Sequence, residues 1–167
     1  MIEDKINKVL DIASKIAKPF EGLYKVINDK VYAYHDPVGY PTIGYGHLLS
    51  KEKYKDLSEY EVLTIPQAEE LLKQDMKYAV LQAIKASPIL AKEENIKRWA
   101  SISDFIFNCG IGNYKISTLK KKIDTEDWEE SVHQIKRWNK SSGRVLRGLV
   151  LRRDAESKLL AHEYREV

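Results

Sequence analysis

Ile2, Ile6, Val9, Leu10, Ala13, Ile16 and Ala17 return at three- and four-residue intervals with charged residues between them, which predicts an amphipathic helix over residues 2–18. Pro19 marks its expected end. From residue 23 to residue 48 the pattern changes: aromatic and β-branched residues alternate with glycines and prolines, as in short strands joined by tight turns. Asn28-Asp29, between the runs 23–27 and 31–34, predicts the tip of a hairpin, with a third strand to follow. Residues 50–63 are polar and unpunctuated, a surface connection with one helical turn at most. Thr64-Ile65-Pro66-Gln67 is a helix start with a mechanism, an N-cap threonine, a proline in the first turn and a glutamine placed for a capping box. That helix is expected to run to Ala86, before Ser87-Pro88. From Glu93 onward the pattern predicts helix throughout, with Trp99, Ile102, Phe105 and Ile106 on one apolar face and Trp128, Val132 and Ile135 continuing a helix.

Candidate chemistry gathers where the glycines are densest. The run YHDPVGYPTIGYGH at residues 34–47 carries a carboxylate, a hydroxyl and an imidazole, Asp36, Thr42 and His47, and Glu21 stands upstream at the end of the first helical pattern. Two carboxylates flanking a sugar are what glycoside hydrolysis needs, one protonated to donate to the leaving oxygen and one ionised to activate water or stabilise positive charge.

Phe20-Glu21-Gly22, then Asp36 with Thr42 six positions on, then Thr42-Ile43-Gly44-Tyr45-Gly46-His47 resemble, in that order, the phage-type lysozymes, the endolysin family of glycoside hydrolases. Later blocks are similar to the same family: Phe107-Asn108-x-Gly-x-Gly, Ser117-Thr118-Leu119, Arg137-Trp138-Asn139 and Gly148-Leu149-x-x-Arg152-Arg153. The resemblance covers residues 16–160 and implies an α+β, mainly α fold, one lysozyme-like domain of two lobes with a small antiparallel β-hairpin sheet and a long interlobe helix. Its expected parts are a β-containing lobe at 19–63, the interlobe helix at 64–86, and a helical lobe at 88–164 with helix 2–18 packed on it. The implied activity is that of a muramidase, cleaving the β-1,4 bond between N-acetylmuramic acid and N-acetylglucosamine in peptidoglycan for host lysis. Glu21 would be the general acid and Asp36 its ionised partner, with Thr42 helping to hold water. Tyr45, Phe107, Asn108 and Arg144 would bind glycan, and His47 would form a structural pair with Asp75. Asn108 has a second reading as a helix C-cap beside Gly110, and Ser117 with Thr118 would cap the next helix.

The chain departs from the family in one spacing. Glu21 and Asp36 are 15 positions apart, against about nine in the usual motif. A lengthened hairpin absorbs the surplus, because residues shared between two arms go out and come back. Asp29 competes for the second carboxylate role, but six positions after it stands His35 rather than threonine, so Asp36 is preferred and Asp29 reads as a turn residue.

Composition narrows the alternatives. At 167 residues the chain is long enough for a real core, and its single cysteine, Cys109, in an apolar run, reads as a small buried hydrophobe. The four histidines lack ligand spacing, so neither a metal nor a cofactor is expected. Net charge is only +3, and no nucleic-acid module is recognisable. Arg137, Arg144, Arg147, Arg152 and Arg153 surround Val145, Leu146, Leu149, Val150 and Leu151, which leaves open contact with lipopolysaccharide or a solvated basic face. A non-catalytic wall-binding or membrane-disrupting protein is therefore the rival function. Charged residues near the start interrupt any signal-peptide core, so the expectation is a monomer made in the host cytoplasm that reaches periplasmic peptidoglycan after release by a holin. Ser-x-x-Lys pairs at Ser50 and Ser117 lack the companion motifs of acyl-enzymes and are set aside.

Overall fold

The computed structural model describes residues 1–162, so residues 163 and 164 of the expected C-terminal lobe lie outside the described residues. The chain divides into two compact units, Ala17–Asp75, and Met1–Ile16 together with the chain from Met76 onward. Both boundaries fall inside helices, α1 (Ile2–Glu21) and α2 (Ile65–Ala86).

In the unit Ala17–Asp75, α1 does not stop at Pro19 but continues to Glu21. Proline removes one N–H and leaves the next residues free to bond backward. The helix ends where Gly22 takes the left-handed φ of 71° and its N–H bonds Lys18 O at 3.0 Å. The chain then forms β1 (Val26–Ile27) and β2 (Lys30–Val31), joined by Asn28 and Asp29 at φ 50° and 63°. Two consecutive positive φ angles give the turn whose twist matches the strands it joins. Here β2 also pairs with β6 (Leu63–Thr64), in the register Val31↔Leu63. A separate sheet follows, of β3 (Tyr34–His35), β4 (Pro41–Ile43) and β5 (His47–Leu48), so the expected hairpin plus one strand is in fact two three-stranded antiparallel sheets. Val31, Ala33 and Ile43 bury against Ala68 of α2, with Leu23, Tyr45 and Leu63 packed around them.

The connection from 50 to 62 contains no helical turn. Ser50 and Asp56 explain this: each side chain accepts the N–H two residues on, at 3.0 and 2.9 Å, satisfying the backbone without a helix. Helix α2 then opens on a reciprocal capping box, with Thr64 N–H donating to Gln67 Oε1 at 2.8 Å and Gln67 N–H to Thr64 Oγ1 at 3.2 Å.

In the other unit, two 3₁₀ turns (Pro88–Ala91, Glu93–Asn95) lead into α3 (Ile96–Cys109), α4 (Ile111–Ile116), α5 (Thr118–Asp124) and α6 (Trp128–Lys136). Trp99 is fully buried and donates its indole N–H to Val80 O at 2.9 Å. Truncating such a residue to alanine costs about 3–5 kcal/mol. Phe105 meets Tyr114 and Trp138 edge to face, and the Tyr114 hydroxyl shares a 2.7 Å bond with Ser87, so that buried phenol is satisfied. Ser117 alone caps α5, accepting the Lys120 N–H, and Thr118 is the first helical residue rather than a cap. Gly110, at φ 88°, ends α3 in place of Asn108.

The last third is not all helix. Lys140–Ser141 (β7) and Arg144–Val145 (β8) form a small hairpin turned by Ser142 and Gly143 at positive φ, before α7 (Arg147–Leu160). Nor are its five arginines one basic face. Arg152 and Arg153 are buried: Arg152 forks onto Asp104 with bonds of 2.9 and 2.7 Å, and Arg153 pairs with Glu156 at 2.6 Å. An isolated guanidinium cannot be left in a core, and acids on α3 and α7 meet both.

Candidate active site

The sheet β3-β4-β5 and the end of α1 assemble the candidate site within the unit Ala17–Asp75. Cα pairing sets Tyr34 opposite Thr42, and Thr42 opposite Leu48, so the three side chains share one sheet face. His35, Pro41, Ile43 and His47 take the other. Asp36 leaves β3 two residues after Tyr34 and heads a tight turn, in which Gly39 N–H bonds Asp36 O at 2.9 Å. Its Oδ1 accepts three backbone N–H groups, from Val38, Gly39 and Tyr40, at 2.9, 2.8 and 2.8 Å. These bonds, Tyr40's foremost, hold the Asp36 carboxyl below its ordinary range and keep it ionised.

Glu21 reaches the same neighbourhood from the helix. A Cβ added to Gly46 would stand 3.7 Å from Glu21 Oε2, so the acid lies against the Gly44-Tyr45-Gly46 turn. Gly46 sits at φ 82°, a conformation that glycine adopts without strain. A Cβ at Gly22, next to Glu21 in the chain, would meet the phenol end of Tyr24 at 3.4 Å, and the Tyr24 and Tyr34 rings are 5.7 Å apart at 56°. Burial raises the pKa of the Tyr34 hydroxyl, and Tyr24, Asp36 and Glu21 push the same way. Both carboxylates therefore act electrostatically on one phenol. The longer hairpin is compatible with this: its extra residues form β1 and β2, Tyr32 N–H returns to Lys25 O at 3.1 Å, and the chain re-enters at β3. Asp29 is exposed at the tip of that hairpin.

Thr42 is buried, and its hydroxyl donates to Tyr40 O at 2.8 Å. Its proton is thus committed while its lone pairs stay able to accept. The His47 Nδ1–H donates to Asp75 Oδ2 at 2.9 Å, tying β5 to α2. Tyr45 is half-buried and packs on the small core. The remaining site candidates belong to the other unit. Phe107 is half-buried near the end of α3, and Arg144 is exposed on β8. Asn108 is exposed, with Oδ1 accepting from Arg153 at 2.8 Å. Cys109 is only partly buried, its thiol pKa raised by burial, and Sγ accepts from Arg153 at 2.7 Å. Sequence reasoning passed over Tyr24 and Tyr34. The signal was present in Tyr34, two positions before Asp36, on the face that period-two alternation assigns to Thr42. Among the described residues no trio of His, Cys, Asp or Glu is grouped to hold a metal ion.

Known proteins resemble this chain in sequence and in fold. The endolysin of Bacillus phage B103 is 32% identical over 144 residues, covering 86% of this chain and 50% of that protein. With the endolysin of Bacillus phage PZA covered to 51%, the chain spans about half the length of these relatives. Among solved structures, the endolysin from Escherichia coli O157:H7 phage FAHEc1 superposes with a TM-score of 0.71 at 25% identity, covering 96% of this chain and 94% of that one. A P22 lysozyme variant superposes at 0.69 with 25% identity, over 89% and 94% of the two chains. The family model for phage lysozyme matches residues 18–156, a span that contains Glu21, Asp36 and Thr42, and the chain belongs to that family.

Proposed function

We propose that this chain is a muramidase, hydrolysing the β-1,4 bond between N-acetylmuramic acid and N-acetylglucosamine in bacterial peptidoglycan. The observation that carries the proposal is the unlike treatment of two neighbouring acids. Asp36 is kept ionised by three N–H bonds to a single oxygen, whereas Glu21 stands at a helix end against a glycine turn that leaves room beside its carboxylate. An acid that delivers a proton and an ionised partner that steadies positive charge is the division of labour glycoside hydrolysis requires.

In this mechanism Glu21 protonates the glycosidic oxygen as the bond to the sugar breaks. Asp36, with Oδ1 occupied by backbone donors, uses its other oxygen to orient water and stabilise the oxocarbenium ion. Thr42 accepts a hydrogen from the same water, since its own proton is given to Tyr40 O. His47, bonded to Asp75, braces the strand behind the Gly46 turn. All of these groups come from one chain, so a monomer suffices. Peptidoglycan lies beyond the inner membrane, so the proposal also needs a route across it, for which a holin is the expected supplier. Glu21→Gln tests the assignment: clearing of purified peptidoglycan should stop while the protein stays folded, and retained lysis would remove Glu21 as the acid.

A second reading, contact with the lipopolysaccharide surface, is favoured by one observation. Lys140, Arg144 and Arg147 are exposed beside exposed Val145, Leu146, Val150 and Leu151. Replacing Arg144 and Arg147 with alanine should slow lysis of intact Gram-negative cells more than clearing of purified wall. Equal slowing on both would leave a membrane role without support.

A further inference from the structure

The face that carries Asp36 and Thr42 is rich in acceptors. Asp36 brings a carboxylate and has one oxygen already filled, and the hydroxyl hydrogen of Thr42 is spent on Tyr40 O. Sugars present hydroxyls and acetamido carbonyls, and the carbonyls accept only. A glycan held by acceptors alone would leave them unmatched, at the cost of a lost hydrogen bond in a water-poor site.

We infer that the Tyr34 hydroxyl is the neutral hydrogen-bond donor of this site, giving its proton to an acceptor oxygen of the sugar held between Glu21 and Asp36. The inference rests on the muramidase reading and adds to it a residue that touches substrate. Three placements support it. Strand register sets Tyr34 opposite Thr42 on one sheet face. The Tyr24 ring, lying over Gly22 next to Glu21 in the chain, contacts the Tyr34 ring with centroids 5.7 Å apart. The hydroxyl, half-buried, has both carboxylates acting on it. A phenol in that company keeps its proton through the whole neutral range, because burial, then Tyr24, Asp36 and Glu21, all raise its pKa. It is thus a donor whichever acid is ionised.

Tyr34→Phe removes the donor and keeps the ring contact with Tyr24. The probe is a soluble hexasaccharide of alternating N-acetylglucosamine and N-acetylmuramic acid. Calorimetric binding to Glu21→Gln and to Glu21→Gln/Tyr34→Phe should show the dissociation constant rising about tenfold in the double variant, as for one lost hydrogen bond. Tyr34→Phe alone should raise KM about tenfold with kcat near wild type, a split that loosened packing would not give. Equal dissociation constants in the two binding measurements, or an unchanged KM, would overturn the inference. Cleavage of the hexasaccharide by Glu21→Gln at the wild-type rate would instead overturn the acid assignment, and the KM of Tyr34→Phe would still judge the donor.

Discussion

Two pairs of acids in this molecule have opposite surroundings. Asp104 and Glu156 are fully buried between α3 and α7, met by the guanidinium groups of Arg152 and Arg153. Glu21 and Asp36 are partly exposed, and Asp36 is met by backbone N–H groups. A guanidinium fork cancels a carboxylate's charge and locks it into the architecture. Backbone donors fix a carboxylate in place yet leave its negative charge facing outward, available to a reacting centre. On the proposed reading, the same residue types hold the fold together in one unit and supply the chemistry in the other.

Removing a buried acid is the harshest way to probe this contrast. Asp104→Ala leaves Arg152 charged and unpaired in the core, and we expect a loss of about 3–5 kcal/mol in urea unfolding. Activity per folded molecule should hardly change. A loss below 1 kcal/mol would mean that water reaches Arg152 and that the two pairs are less different than described.

Gly46 comes next in expected effect. Gly46→Ala forces a side chain to φ 82° and puts a methyl 3.7 Å from Glu21 Oε2. We expect about 1–2 kcal/mol of destabilisation, with a larger proportional loss of kcat than of folded protein. Wild-type turnover in the folded fraction would show that the turn leaves more room around Glu21 than this contact implies.

The pH responses separate the pairs more finely. Burial raises the pKa of Glu156, and the hydrogen bond and charge of Asp104 add to it, outweighing Arg153 and Arg152. A raised folded pKa gives stability that is complete below the ordinary carboxylate range and is lost as pH climbs through the raised value. Glu156→Gln should therefore flatten the fall in melting temperature as pH climbs above the ordinary carboxylate range. Asp104 runs the other way. Burial alone would raise its pKa, but the hydrogen bond from Glu156 and the guanidinium groups of Arg152 and Arg153 win and lower it, so its contribution is lost only in acid, below the usual carboxylate range. Asp36 is also lowered, by the Tyr40, Gly39 and Val38 N–H groups against a smaller effect of burial. The acid limb of the pH–rate profile that belongs to Asp36 should lie below the usual carboxylate range, and a limb above that range would contradict its backbone-held state.

Local chemistry was what the sequence made legible. The Thr64–Gln67 capping box and the Asn28-Asp29 hairpin depend on residues within a few positions of each other, and both form as their types dictate. Pairings across long separations were not readable in this way. Arg152 finds Asp104 48 positions upstream, so a basic-looking stretch hides two buried charges. Glu156, three positions after Arg153, was a visible hint, since that spacing puts both on one helical face. The hairpin at Lys140–Val145 was signalled only by Ser142-Gly143, a turn dipeptide inside an otherwise helical pattern. At the candidate site the family blocks brought out Glu21, Asp36 and Thr42. Tyr24 needed coordinates, because its contact with Tyr34 joins a loop after α1 to β3 across the extra hairpin.

The most direct measurement is the rate at which Glu21→Gln clears purified peptidoglycan, read beside its urea unfolding curve. If the exposed acids serve chemistry and the buried acids serve the fold, the rate falls by at least about 100-fold while stability stays within about 0.5 kcal/mol of wild type. A variant that clears the wall as fast as the parent, or one that loses its lysis only because it no longer folds, would contradict that division.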